Sequence, residues 1–147
     1  MTMFNDQYFM QQALREAHKA FADGEVPVGA VVVVNDRIIT RAHNLTERLN
    51  DVTAHAEMQA ITAAANMLGG KYLTDCTLYV TVEPCPMCAC ALRWAQISRI
   101  VYGAPDEKLG YSQISPYLLH PKTTVTSGIL ADDCADLMQL FFARFRK

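Results

Sequence analysis

Residues 28–34 carry the sequence VGAVVVV, a run of small and β-branched side chains that is apolar on both faces of an extended chain. A strand of this kind leaves no face for water, so it must lie in a sheet that is covered on both sides. The polar pair Asn35 and Asp36 predicts a turn, and residues 37–43 are typical of the strand that pairs with the first one. We therefore expect a buried β-hairpin at the start of the sheet.

Helical patterns lie on either side of this hairpin. Residues 6–22 have apolar side chains at steps of three and four, which predicts an amphipathic helix with Asn5 as its N-cap. A second helix is predicted after Thr53, which we expect to be its cap, and Gly69 with Gly70 should end it. The apolar stripe of this second helix is formed by Met58, Ile61, Ala65 and Leu68.

The second half of the chain alternates strands and helices. Residues 77–82 predict a strand, and a helix should begin near Pro86, with Trp94 packed against the sheet. Further strands are predicted at 99–103 and 123–126, and residues 104–122 form a polar connection with room for one helical turn. A closing helix is expected over 131–145, with a broad apolar face. The order ββαβαβ(α)βα predicts a three-layer α/β/α domain built on a mixed five-stranded sheet.

Composition limits the class of protein. A chain of 147 residues that is 51% hydrophobic fits one domain over residues 1–147, and it has no apolar run of the ~18 residues that a membrane span needs. Five cysteines without regular spacing argue for a reducing compartment, so we expect a cytoplasmic protein. The net charge of −2 shows no basic footprint for nucleic acid. The basic cluster at residues 144–147 is also typical of a solvated helix end.

Two short motifs supply the groups of a metal site. His55 lies near the start of one predicted helix, and Cys85 and Cys88 lie at the start of another, directly after Pro84. A catalytic zinc ion has three protein ligands and one open position, whereas a structural zinc ion is closed by four. The helix N-terminus also favours the thiolate form that metal binding requires. These three residues are therefore the candidate ligands of one Zn²⁺ per chain.

Glu57 is the candidate catalytic acid and base. Two residues apart in mid-helix lie about 200° apart, so His55 and Glu57 can serve one site only at a helix start. Glu57 would take a proton from the water that the metal activates and return it to the substrate. A Cys-x-x-Cys pair is also a redox motif, and a structural zinc site uses the same thiols. The remaining thiols, Cys76, Cys90 and Cys134, are expected in the core.

The two motifs together match the His-x-Glu…Pro-Cys-x-x-Cys signature of zinc deaminases. Over nearly its whole length the chain resembles the cytidine-deaminase-like superfamily, and within it the bacterial tRNA-specific adenosine deaminases. The metal motifs indicate only the superfamily, whereas the Pro-Val-Gly-Ala strand and the long C-terminal helix narrow the resemblance to the branch that acts on tRNA. The residues that carry it are 25–31 (EVPVGAV), Asn44, 53–57 (TAHAE), 77–85 (TLYVTVEPC), 87–89 (MCA), 101–104 (VYGA) and 128–131 (GILA).

This resemblance implies a cytidine-deaminase-like domain that acts as a zinc-dependent homodimer. It would deaminate the wobble adenosine of a tRNA anticodon loop to inosine. Asn44 would hydrogen-bond the flipped base, and a backbone N–H at Ala56 or near Cys85 would hold the developing tetrahedral oxygen. The resemblance also implies that the substrate pocket is lined by Glu25, Val28 and Pro84.

The chain departs from the family pattern at three positions. Cys90 replaces a usual glycine, Val52 a frequent proline, and Pro105 a usual arginine in the loop expected near the anticodon. Two alternatives to a tRNA deaminase stay open. One is the deamination of a free base or nucleoside such as guanine or cytosine, and the other is a non-catalytic zinc or dithiol protein.

Overall fold

The computed structural model describes residues 4–145, so residues 146 and 147 of the predicted basic cluster lie outside the described part of the chain. Over residues 4–145 the chain forms four α-helices and five strands, with two 3₁₀ turns in the connection before the last strand. The helices are α1 (Asp6–Ala22), α2 (Ala56–Leu68), α3 (Pro86–Ala95) and α4 (Ala131–Phe145). The strands are β1 (Gly29–Val34), β2 (Arg37–His43), β3 (Thr77–Val82), β4 (Arg99–Ala104) and β5 (Thr124–Ser127), and the 3₁₀ turns are Tyr111–Gln113 and Pro116–Leu118.

The strands form one mixed sheet in the order β2-β1-β3-β4-β5. The hairpin strand β1 is antiparallel to β2 and to β3, whereas β3, β4 and β5 run parallel to one another. The C-terminal ends of β3 and β4 therefore meet at the same edge of the sheet. Loops that leave this edge bring Glu83 and Pro105 into one neighbourhood.

Helices cover both faces of the sheet, which confirms the predicted three layers. The helices α2 and α3 pack on one face, where their alanines join Val32 and Leu78. On the other face α1 contributes Phe9 and Met10 to a core with Val31 and with Cys134 of α4. Successive residues of β1 thus point into opposite cores, which is why this strand has no polar face. No helix within residues 4–145 is long and apolar enough to cross a membrane.

The apolar stripe predicted for α2 is not its buried face, since Leu68 is exposed. The buried face is formed by Ala56, Glu57, Ala60 and Ala64. Their small side chains let the helix backbone approach the sheet closely, and larger side chains at those positions would hold it away.

Trp94 does not pack against the sheet as predicted, because its side chain is 81% exposed. The residues of α3 that face the sheet include Ala89 and Leu92, which are fully buried. Trp94 follows Leu92 by two residues and so points about 200° away from it. An aromatic side chain of this size is thus left on the outer surface of the helix layer.

Candidate metal centre and active site

His55 and Cys85 are the N-cap residues of α2 and α3, and both have extended backbone conformations with φ of −71°. Their side chains make no capping hydrogen bond within the described structure. The predicted cap Thr53 is wrong, because its amide and hydroxyl donate to Asp51 Oδ1 at 2.8 and 2.7 Å, and the helix begins three residues later. Residues that normally cap helices are thus replaced by two side chains that are free to bind a metal.

The three candidate ligands converge. Nδ1 of His55 lies 3.7 Å from Sγ of Cys85 and 3.5 Å from Sγ of Cys88. A tetrahedral zinc with Zn–S near 2.3 Å and Zn–N near 2.0 Å requires an S···N separation of about 3.6 Å. The ligand atoms all lie within 4.8 Å of one another, and the cysteines are free rather than bridged. The site therefore fits zinc in both its ligand atoms and its dimensions.

The two thiols differ in their protonation. A hydrogen bond from the Cys88 thiol, together with one from His55, lowers the pKa of Cys85 to about 4. The same contact with Cys85, together with burial, raises the pKa of Cys88. Hydrogen bonding to Cys85 also raises the pKa of His55. The group thus holds a thiolate beside a proton donor, and zinc binding displaces the protons because it needs two thiolates and a neutral imidazole.

Glu57 lies in the first turn of α2, two residues after His55, and is only 4% exposed. Burial raises the pKa of its carboxyl group to about 7. The Cys88 thiol acts in the opposite direction and lowers this pKa. The helix start therefore brings an acid and a metal ligand to the same place, as the spacing required.

Asn44, which directly follows β2, carries an unpaired acceptor. The residue is 6% exposed, and its amide N–H donates to the Val28 carbonyl at 3.1 Å. Its side-chain Oδ1 is buried without a hydrogen-bond partner in residues 4–145. Leaving such an atom unpaired costs about 1–3 kcal/mol, so a missing donor is expected there. A ligand that offers an N–H group would supply it.

The other predicted substrate residues take different positions. Glu25 is buried, but its carboxylate accepts the amides of Glu47 and Arg48 at 3.0 and 2.8 Å, so it holds the loop that follows Asn44. Val28 is half-buried against the α2 core and contacts Asn44 through its backbone carbonyl. Two further predicted residues, Ala56 and Pro84, are buried at the starts of the metal-binding segments, and the Ala56 amide belongs to the first helical turn, where N–H groups have no acceptor within the helix.

Sequence reasoning missed Glu83 as a residue of interest. It is a buried carboxylate at the end of β3, directly before Pro84 and Cys85. A charged residue directly after the alternating pattern of this strand was the available signal. Its hydrogen-bond partners lie 23 and 29 residues further along the chain, and no local pattern indicates them.

A metal position with three protein ligands and a buried acid beside it is the arrangement of a catalytic zinc enzyme. The sequence places the chain more narrowly, because the cytidine and deoxycytidylate deaminase zinc-binding region matches residues 3–104. The chain belongs to this deaminase family, and its cofactor is zinc.

Relatives of known name extend the match to the whole chain. A tRNA-specific adenosine deaminase from Bacillus subtilis is 44% identical, with 99% of this chain and 93% of that protein covered. A solved structure from work on A-to-I editing by tRNA:A34 deaminases at the wobble position superimposes with a TM-score of 0.82, at 43% identity, over 88% of this chain and 98% of that one. The guanine deaminase from Bacillus subtilis matches less well, with a TM-score of 0.68 and 36% identity over 76% of this chain and 74% of its own. The fold is therefore the expected cytidine-deaminase-like α/β/α sandwich.

Proposed function

We propose that this protein hydrolytically deaminates adenosine to inosine at the wobble position of a tRNA anticodon. The observation that carries the proposal is the similarity to tRNA-specific adenosine deaminases over almost the full length of both chains. The similarity includes the segments that build the metal centre and the loop at Asn44. A non-catalytic zinc module would have no use for a buried acid such as Glu57 beside the ligands.

Three residues, His55, Cys85 and Cys88, would hold the zinc ion. When bound, zinc acts as a Lewis acid that makes water available as a nucleophile near neutral pH. Glu57 accepts the proton from the attacking water and delivers it to the ring nitrogen of the base. A carbon–oxygen bond forms at C6. Glu57 then takes the proton of the new C6 hydroxyl group and passes it to the amino nitrogen, so the bond from C6 to that nitrogen breaks, ammonia leaves and the carbonyl of inosine forms. The backbone N–H at Ala56 would stabilise the developing charge on the oxygen.

Substrate binding would rest on the loop around Asn44. Its unpaired Oδ1 can accept a hydrogen bond from the edge of an extruded base, and Glu25 keeps the loop in place. Val28 and Pro84 would complete the walls of the pocket. An anticodon loop is single-stranded, which lowers the cost of taking a base out of its stack.

The homodimer is part of the proposal and rests on an exposed apolar surface. The helices α2 and α3 pack side by side, and Arg93 of α3 donates to the carbonyls of Tyr117 and Leu119. This surface, the α2–α3 patch, consists of Met67, Leu68, Trp94 and Tyr117, each between 46% and 84% exposed. Exposed apolar side chains of this size on neighbouring helices typically mark an interface, and a second copy of the chain would cover them. A tRNA substrate and five unbridged cysteines favour a cytoplasmic location.

The second candidate substrate is a free base, and the match to a guanine deaminase favours it. Incubation with anticodon stem-loops that carry adenosine at the wobble position, and separately with guanine, distinguishes the two. The expected result is inosine in the stem-loop, detected by mass spectrometry, with little ammonia released from guanine. Inactivity on every stem-loop would rule out tRNA as the substrate.

A further inference from the structure

Glu83 is a buried carboxylate for which the proposed chemistry has no use. It follows β3, is 5% exposed, and lies two residues before Cys85. It forms no ion pair with a basic side chain among the described residues. A carboxylate buried in this way is costly unless its oxygens are hydrogen-bonded, so its partners indicate what it does.

All of these partners belong to the loop that follows β4, residues 105–112. Oε1 of Glu83 accepts the amide of Asp106 at 3.1 Å, and Oε2 accepts the amide and the hydroxyl of Ser112 at 3.0 and 2.6 Å. A single carboxylate thus joins the two ends of the loop. The loop also closes tightly around it, because a Cβ at Gly110 would collide with the carboxylate.

The same loop is fixed to the metal-binding turn. The amide of Tyr111 donates to the Pro84 carbonyl at 2.9 Å, and the amide of Glu83 donates to the Ala104 carbonyl at 2.8 Å. The position of the loop relative to Cys85 is therefore set both by backbone contacts and by the Glu83 side chain. The outer side of the loop presents the exposed residues Glu107, Lys108 and Leu109.

We propose that Glu83 is a positioning residue that fixes the 105–112 loop as one wall of the entrance to the active site. A substrate as large as an RNA stem-loop must pass and contact this wall, whereas the reacting base contacts the residues deeper in the site. Glu83 therefore sets the affinity for the extended substrate and leaves the chemical step unchanged. This inference rests on the proposed function.

The variant Glu83→Gln tests it, with Glu16→Gln as the matched control, because Glu16 is a carboxylate of similar burial, 4% exposed, on α1 at the other face of the sheet. The NH2 group of the glutamine cannot accept a hydrogen bond, and at either end of the loop it would face a backbone N–H donor. One end of the loop therefore loses its hydrogen bond to the side chain. We expect faster hydrogen exchange of the amides in residues 106–112, and a KM for the stem-loop that rises on the order of tenfold. The kcat should stay within about twofold, because a loss of binding alone raises KM without changing kcat. Zinc content should equal that of the wild type.

Two results would overturn the role of Glu83. The first is a Glu83→Gln variant whose amide hydrogen exchange or KM equals that of the wild type. The second is a fall of both zinc content and kcat at unchanged KM, which would indicate a purely structural role. The same changes in Glu16→Gln would also contradict it. Failure of the proposed function is separate, because it appears as a wild-type protein that leaves the stem-loop unmodified, and hydrogen exchange still reports whether Glu83 holds the loop.

Discussion

The substitution Gly29→Ala tests how closely α1 lies on the sheet. Gly29 begins β1, and its amide donates to the Thr81 hydroxyl at 3.1 Å in a buried position. A Cβ at this position would collide with the carbonyl oxygen of Ala13 and the amide nitrogen of Ala17, and it would lie 2.8 Å from the Cβ of Glu16. Two of these three obstacles are backbone atoms, which cannot rotate away, so α1 must move off the sheet.

The size of the effect follows from these contacts. Inserting a methyl group into a packed core costs about 1–3 kcal/mol, and backbone obstacles place this site at the upper end. For a chain of this length each kcal/mol shifts Tm by about 2–4 °C, so we expect a decrease of about 10 °C. Activity should also fall, because Val28, directly before β1, holds Asn44 by a backbone hydrogen bond of 3.1 Å.

Thermal unfolding followed by circular dichroism, with urea unfolding for the free energy, measures the change. Gly70→Ala is the matched control, because a Cβ at that position meets nothing within 4 Å. It should change the free energy of unfolding by less than about 0.5 kcal/mol. If Gly29→Ala unfolds at the same temperature as Gly70→Ala, the close packing of α1 on β1 is wrong.

Three further predictions concern the site, the stability and the assembly. Glu57→Gln should retain zinc but lose kcat by a factor of about 10²–10⁴, whereas Glu16→Gln, equally buried at 4% exposure, should stay active. Elemental analysis measures the zinc content and an inosine assay measures kcat. A near-normal kcat in Glu57→Gln would refute the proton transfer by Glu57. The Arg99 guanidinium lowers the pKa of Asp6, so the advantage of the wild type over Asp6→Asn should be about 1 kcal/mol at pH 7. It should decline as the pH falls below about 4, where the unfolded chain takes up the proton, and vanish below the lowered pKa of the folded protein. Urea unfolding across pH measures it, and a difference independent of pH would contradict it. Trp94→Ser should convert a dimer to monomers in sedimentation velocity, and a monomeric wild type would rule out the proposed interface.

The metal ligands could be predicted from sequence because the relevant information is local. The relation of Cys85 to Cys88 and of His55 to Glu57 spans at most three residues, and the start of a helix fixes such short distances. The sequence could not show whether the starts of α2 and α3 lie close together. The structure shows that they do, with separations of 3.5 and 3.7 Å between Nδ1 of His55 and the two thiols. The sheet made that meeting possible, because β2 and β3 are both antiparallel to β1, so their C-terminal ends, which lead to Asn44 and to Cys85, lie at the same edge.

The errors of sequence reasoning have one local cause and two tertiary ones. Thr53 has the right chemistry for a cap, but Asp51 lies two residues away and takes both of its donors. The larger apolar residues of α2 suggested its buried face, yet the close approach to the sheet selects alanines instead. Trp94 is apolar and helical, but only packing decides which side of α3 faces the sheet.

The sequence by itself determined the chemistry of this protein: the ligand atoms, the acid beside them, and the strand that must be covered on both faces. These features depend on side-chain type and on periods of two to four residues, so they can be recognised without knowledge of the fold. The tertiary structure decided which buried polar groups find a partner. The carboxylate of Glu83 holds a loop, whereas Oδ1 of Asn44 stays unpaired within the described residues. Such contacts join residues more than 20 positions apart, and they arise only when the packing of helices on the sheet has excluded water from both partners.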